Sequence, residues 1–337
     1  MQTISIYKNV TLYGGLCPFR KSNGFECARD APETVPPIPH FLSHQIRSFL
    51  PIEDHVKHQI ACVIGNGGLG DIITCSGMVN YLSTKYNKVI VSVPIKCAKH
   101  ITEFYKNSNI IIFPINESEC NLYEYCQSMI EYSEYDIYAI GNYGAKKIDY
   151  TTYSKTYFDG ETKRIIENYP CSYYADVNIP FKYAREYLYI HYTPEIDELY
   201  GELFSYGVPH TVLHGDGSNI LIDPFEFATI DTQNHIIIDV TYNRYRKNHK
   251  YYGIAQKFVL LPSIIYYAKL IETANAFYMI DSCIHALASL LDLKNVRVKE
   301  CFQRESRFSY YRIDITYHTM AFTKNYSKNN IKLQMID

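Results

Sequence analysis

Short apolar runs that end in glycine or proline, separated by stretches of helical spacing, organise most of the chain. Ile60–Ala61–Cys62–Val63–Ile64 closes on Gly65, as a buried strand does. From about Asp71 to Lys85 the apolar positions Ile72, Ile73, Met78, Val79 and Leu82 recur at helical spacing. Val89–Ile90–Val91–Ser92–Val93 is a second strand, closed by Pro94, and Ile110–Ile111–Ile112–Phe113 is a third, again followed by proline. Asp136–Ile137–Tyr138–Ala139–Ile140 is a fourth, ending at Gly141. Strands alternating with helix-length segments predict a parallel sheet with helices on its faces, a Rossmann-like domain.

A second series begins after Pro194. Residues 195–206 read as a helix, Thr211–Val212–Leu213–His214 as a strand, and His235–Ile236–Ile237–Ile238–Asp239–Val240 as another. Ile264, Ile265, Ala268 and Ile271 form a helical stripe. Ala276–Phe277–Tyr278–Met279–Ile280 is a further strand, and Asp281–Ser282 opens a helix through about Leu291. The expected organisation is an irregular arm over 1–50, broken by Pro18, Pro32 and Pro36–Pro37–Ile38–Pro39. A first Rossmann-like domain over 51–185 and a second, smaller one over 186–300 follow, with a tail, 301–337, packing back on the body. The fold class is α/β, with two Rossmann-like domains facing a cleft. Ligands of such sheets bind beyond the carboxyl ends of the strands, so the loops after Ile64, His214, Val240 and Ile280 are expected to line it.

Two of those loops carry chemistry. Gly65–Asn66–Gly67–Gly68–Leu69–Gly70–Asp71 fits GxGxxG between a strand and a helix, the pattern of a dinucleotide site. Such a site needs a carboxylate at the tip of the next strand for the ribose, and here that strand ends Ser92–Val93–Pro94. NAD is therefore set aside. What remains is glycine-rich backbone, Gly68 and Gly70 included, feeding a helix start that carries partial positive charge and suits a phosphate. Asp71, in the first turn, is either a capping carboxylate or a general base at the mouth of the cleft. After the last strand, Asp281 and Ser282 offer oxygens at another helix start, with Cys283 and His285 following. This suits phosphate without a P-loop lysine, or else a plain N-cap above a structural histidine.

Gly70–Asp71–Ile72–Ile73 followed by Gly77–Met78 resembles the N-terminal motif of the heptosyltransferase family of glycosyltransferases, where the Asp is taken as catalytic base. Glu272–Thr273–Ala274–Asn275–Ala276 through Ala288 resembles that family's donor site, an Asp-Thr/Ser-Gly turn with a histidine soon after. Residues from about Ser263 to Leu293 also look like uncharacterised viral and bacterial glycosyltransferase-like proteins with a His-Asp element upstream, here His214–Gly215–Asp216. The resemblance implies a GT-B fold, with the acceptor on the first domain and the nucleotide-sugar donor mainly on the second. It implies no metal and no cofactor, the nucleotide-sugar being a substrate. Two departures stand out. Cys283 replaces the family's glycine, and His285 falls one residue early, a turn of about 100° on a helix.

Bulk composition narrows the alternatives. The formal charge is −2, with 33 basic against 35 acidic residues and no long run of either sign. That balance predicts no footprint for nucleic acid or an anionic membrane. No apolar run approaches the ~20 residues of a membrane span. Met1 to Val10 lacks the pattern of a signal peptide, so a cytoplasmic protein is expected, in the host cell if the source is viral. The ten cysteines form no CxxC pair or dense framework, which points to reduced thiols, and Cys17 and Cys27 lack partners at zinc-ligand spacing. The 34 tyrosines, with abundant Ile, Asn and Lys, read as coding bias of an AT-rich genome.

The function expected is metal-independent transfer of a sugar from a nucleoside-diphosphate sugar to an acceptor hydroxyl. Asp71 is the base, and Ser282 with its helix start holds the departing diphosphate. Arg244, in the basic run Arg244–Tyr245–Arg246–Lys247, is a phosphate partner or part of a solvated turn, and His214 and Asp216 are sugar or acceptor contacts. A non-catalytic binding or structural protein on the same fold is the alternative, and a nucleotide-sugar epimerase a further one.

Overall fold

Isoleucine and valine are stiff at χ1 and pack well on a pleated surface, so runs of them between breakers settle as buried strands. In the computed structural model the described residues are 20–21, 24–25, 58–65, 68–116, 136–140, 173–174, 177–217, 221–304, 314–320 and 333–337. Most of the expected N-terminal arm, with Cys17 and Cys27, lies outside them. Within it, Arg20–Lys21 (β1) and Gly24–Phe25 (β2) pair antiparallel.

The first main sheet contains His58–Gly65 (β3), Tyr86–Pro94 (β4), Ile110–Ile115 (β5) and Asp136–Ile140 (β6). Its order is β5-β4-β3-β6, and every neighbouring pair is parallel. The helix α1, Leu69–Lys85, and the short α2, Ile95–Ala98, belong to this unit. The second sheet contains His210–His214 (β7), Ile236–Asp239 (β8), Ala276–Ile280 (β9), Val298–Arg304 (β10) and Thr316–Met320 (β11). Its order is β11-β10-β9-β7-β8, again all parallel. Its helices are Pro194–Ser205 (α4), Tyr252–Lys257 (α5), Ala268–Glu272 (α6) and Cys283–Leu290 (α7), and Tyr183–Glu186 (α3) precedes them in the connection. The architecture is the expected α/β pair of parallel sheets.

One expectation needs correction. The second sheet does not stop at residue 300: β10 and β11 extend it to Met320, giving it five strands against four described in the first. The chain end joins the same unit, with Ile336 bridging Tyr245. Among the described residues no helix is long and apolar enough to cross a membrane.

The two units meet along α1, α3 and α7. Glycine makes the approach possible. A Cβ on Gly77 would lie 2.3 Å from the Tyr183 carbonyl oxygen and 2.7 Å from that of Ala184, so α3 rests directly on the α1 backbone. Arg185 then reaches across to the Ser289 carbonyl at 3.1 Å, and Ser263 donates to Glu103 at 3.1 Å. Gly77→Ala separates two effects of opposite sign. Alanine gains about 1 kcal/mol in helix propensity, but overpacking a fixed backbone contact costs about 1–3 kcal/mol. A net loss of stability is expected in urea unfolding, and a variant as stable as the parent would refute the close contact.

Candidate active site

At the start of α1 the chain turns from an extended Gly68 into the helix, and Asp71 folds back over that turn. The Gly68 N–H donates to Asp71 Oδ2 at 2.8 Å, which stabilises the first turn as a capping carboxylate does. Tyr173, 1% exposed, donates its hydroxyl to Asp71 Oδ1 at 2.8 Å. Tyr174 secures the same helix from the next position, donating to the Thr74 carbonyl at 2.8 Å. Gly68 and Tyr173 thus each engage one carboxylate oxygen of Asp71. Beside it, a small open recess runs between α1 and the first sheet, with Asp71 and Tyr173 among its lining. Tyr105 also lines it, and the buried Tyr105 hydroxyl has no hydrogen-bond partner among the described residues.

The second half of the site is built at the carboxyl ends of β7 and β9. These strands are neighbours, with His214 opposite Met279, so the turn after Ile280 brings Ser282 to His214. Ser282 Oγ lies 3.0 Å from His214 Nδ1. Ser282 is the N-cap residue of α7, yet its side chain makes no capping bond, and the histidine takes that hydroxyl instead. Asp216, two residues past β7, accepts from the Tyr242 hydroxyl at 3.1 Å. Gly215 permits that loop, since a Cβ there would lie 2.0 Å from the Ile222 carbonyl oxygen.

The two halves touch. A Cβ on Gly70 would sit 3.3 Å from Cys283 Cα and 3.6 Å from its amide nitrogen, so the first turns of α1 and α7 meet across the boundary between the units. Cys283 is half-buried in that contact, and burial pushes its thiol up to about 11, leaving it uncharged. Among the described residues no group of three or more His, Cys, Asp and Glu is placed to hold a metal ion.

No protein-family model matches this chain, and no curated protein matches it. The chain is similar to solved glycosyltransferases. A glycosyl transferase family 9 protein from Veillonella parvula DSM 2008 shares 11% identity, with a TM-score of 0.42 over 80% of this chain and 88% of its own. The ADP-heptose lps heptosyltransferase II of E. coli shares 13%, with a TM-score of 0.45 over 82% and 95%. The E. coli heptosyltransferase WaaC with ADP-2-deoxy-2-fluoro heptose shares 10%, with 0.37 over 77% and 93%. At these identities and scores the likeness is one of outline, and the sheets described above carry the fold on their own.

Several expected site residues have other duties. Gly68 has its N–H bonded to Asp71, and Gly70 lies against the first turn of α7. His285 is 0% exposed: its Nε2 lies 3.2 Å from the Tyr317 hydroxyl and its Nδ1 3.3 Å from Asp281 Oδ1, at an angle unsuited to a hydrogen bond. Asp281 stands beside that buried ring, with its side chain 11% exposed. Arg244, 1% exposed, is no surface cation. Its Nε donates to Asp239 Oδ2 at 2.6 Å, its Nη1 meets both oxygens of Asp223 at 3.1 Å, and its guanidinium lies 5.8 Å from the Phe225 ring centre. His214 lies against Ser282 through its Nδ1. Asp71, Ser282, His214 and Asp216 keep positions at the strand ends or helix starts. Tyr173 and Tyr242 are added to the site, and neither carries a local sequence signal.

Proposed function

We propose that the protein is a glycosyltransferase that moves a sugar from a nucleoside-diphosphate sugar to an acceptor hydroxyl, without a metal ion or resident cofactor. The observation that supports this is the meeting of two helix starts at Gly70 and Cys283, with Asp71 on one side and the Ser282–His214 pair on the other. A carboxylate within reach of a cleft accepts a proton, while a helix start with a hydroxyl favours an oxyanion. In the step proposed, the acceptor O–H gives its proton to Asp71 as its oxygen bonds to the anomeric carbon. The bond from that carbon to the diphosphate breaks, and the diphosphate departs with the electron pair. Ser282 and the first N–H groups of α7 stabilise the charge that develops on it. A single displacement of this kind inverts the anomeric centre.

One observation favours a second reading, a binding protein on the same fold. Asp71 has both oxygens engaged, by Gly68 and Tyr173, and a purely structural cap needs nothing more. Ligand-induced stabilisation tests the proposal. Purified protein is heated with UDP, GDP, ADP, CMP or dTDP, with and without manganese. A nucleotide at ~100 times its dissociation constant adds about 2.7 kcal/mol to the folded state. A rise in Tm with one nucleoside diphosphate, equal with and without manganese, is expected. A well-folded sample indifferent to every nucleotide would remove the transferase reading.

A further inference from the structure

We propose that His214 is a positioning residue that decides whether Ser282 can hold a phosphate, by fixing the direction of the Ser282 hydroxyl proton. This rests on the transferase reading above, since the ligand is the diphosphate of the nucleotide. A serine hydroxyl has one proton and two lone pairs. With Ser282 Oγ 3.0 Å from His214 Nδ1, that proton has two arrangements. If Nδ1 is bare, the hydroxyl donates to the histidine and turns lone pairs toward the helix mouth, where they repel a phosphate oxygen. If Nδ1 carries a proton, it donates to Oγ and leaves the Ser282 O–H free to point outward. Only the second arrangement offers a donor to an anion.

Three observations make His214 the element that chooses. The Ser282 side chain makes no capping bond to its own helix, so among the described residues its hydroxyl is directed by the histidine. His214 is the last residue of β7, 6% exposed, and held in register against Met279. The strand thus fixes the backbone that carries the imidazole, while Ser282 stands half-buried at the start of α7. A bound phosphate thus selects the form of the ring with Nδ1–H, the one that leaves the Ser282 O–H free.

The test uses the full chain and the nucleoside diphosphate that gives the thermal shift, with the matching nucleoside as control, by titration calorimetry. Ser282→Ala is expected to weaken diphosphate binding by about tenfold to a hundredfold, the loss of one hydrogen bond to a charged group, and His214→Leu by about fivefold to tenfold, since the hydroxyl remains but is no longer aimed. The nucleoside should bind all variants alike. The double variant should bind no more weakly than the worse single one, since the two side chains act as a unit. His214→Asn, whose amide N–H takes the place of Nδ1–H, should stay within about threefold of the parent. Parent-like binding by His214→Leu, losses that multiply in the double variant, or failure of His214→Asn would each overturn the proposal. Should His214→Leu not fold, nitrogen-15 NMR of the parent decides: Nδ1 protonated in the nucleotide complex supports the proposal, and Nδ1 bare overturns it. A parent that binds no nucleotide defeats the transferase reading itself, a different outcome from a bound nucleotide indifferent to His214.

Discussion

Asp71→Asn is expected to reduce turnover by about 10²–10⁴-fold, the usual contribution of a positioned general base, with the fold and nucleotide affinity retained. Asparagine is chosen because both existing contacts have substitutes. Its carbonyl oxygen can accept from the Gly68 N–H, as Asp71 Oδ2 does at 2.8 Å, and its amide can donate to the Tyr173 hydroxyl that now donates to Oδ1. The loss in capping should stay at or below ~1 kcal/mol. Chemistry and stability are thus separated. Initial rates with a donor and acceptor, beside urea unfolding curves, provide the check. Turnover near that of the parent, with an unchanged unfolding midpoint, would leave Asp71 a cap and remove it as base. Alanine would confuse the matter, since it strips the helix start and the tyrosine of their partner together.

The strands at the centre of each sheet were legible because both their faces are buried. The same holds at one edge, where Ile236–Ile237–Ile238 of β8 is fully enclosed and admits few alternatives. Strands β10 and β11 escaped because charged and polar residues interrupt their apolar pattern. Lys299 approaches Asp314 at 3.5 Å and Glu300 approaches His318 at 3.3 Å, so polar residues that broke the apolar pattern are paired along the edge. The site divides in the same way. Asp71 and Ser282 were visible because helix starts after strands have a local signature. Tyr173 was not, since it reaches Asp71 from 102 positions away. Asp281 and His285 held a readable signal, the i,i+4 spacing that makes neighbours on a helix, and it pointed to their mutual contact. Gly70 matched a phosphate motif for a reason the motif does not encode, its approach to Cys283.

Arg244 illustrates how a basic run misleads, and it yields the largest effect expected on stability. Arg244→Ala should destabilise the protein by about 3–5 kcal/mol, because two buried carboxylates would lose their counter-charge. Asp239 and Asp223 are 2% and 1% exposed. Burial pushes the Asp239 carboxyl above its ordinary value, while Arg244 and the Thr241 and Tyr242 N–H groups oppose that rise. The cluster also holds the chain end. Gln334 donates its N–H to Asp223 at 2.5 Å, and Ile336 donates to the Arg244 carbonyl at 2.8 Å. Urea unfolding should therefore show a lower midpoint, and the Ile336 amide should exchange its hydrogen faster than in the parent. Arg244→Lys should recover only part of the loss, because an ammonium cannot reproduce the fork that spans both carboxylates. The opposite result, unchanged unfolding and exchange with a marked loss of nucleotide affinity, would return Arg244 to the surface as a phosphate partner. Its guanidinium is enclosed between Asp239, Asp223 and the Phe225 ring, with Nη2 buried and lacking a hydrogen-bond partner among the described residues, so the arrangement serves the fold through Nε and Nη1.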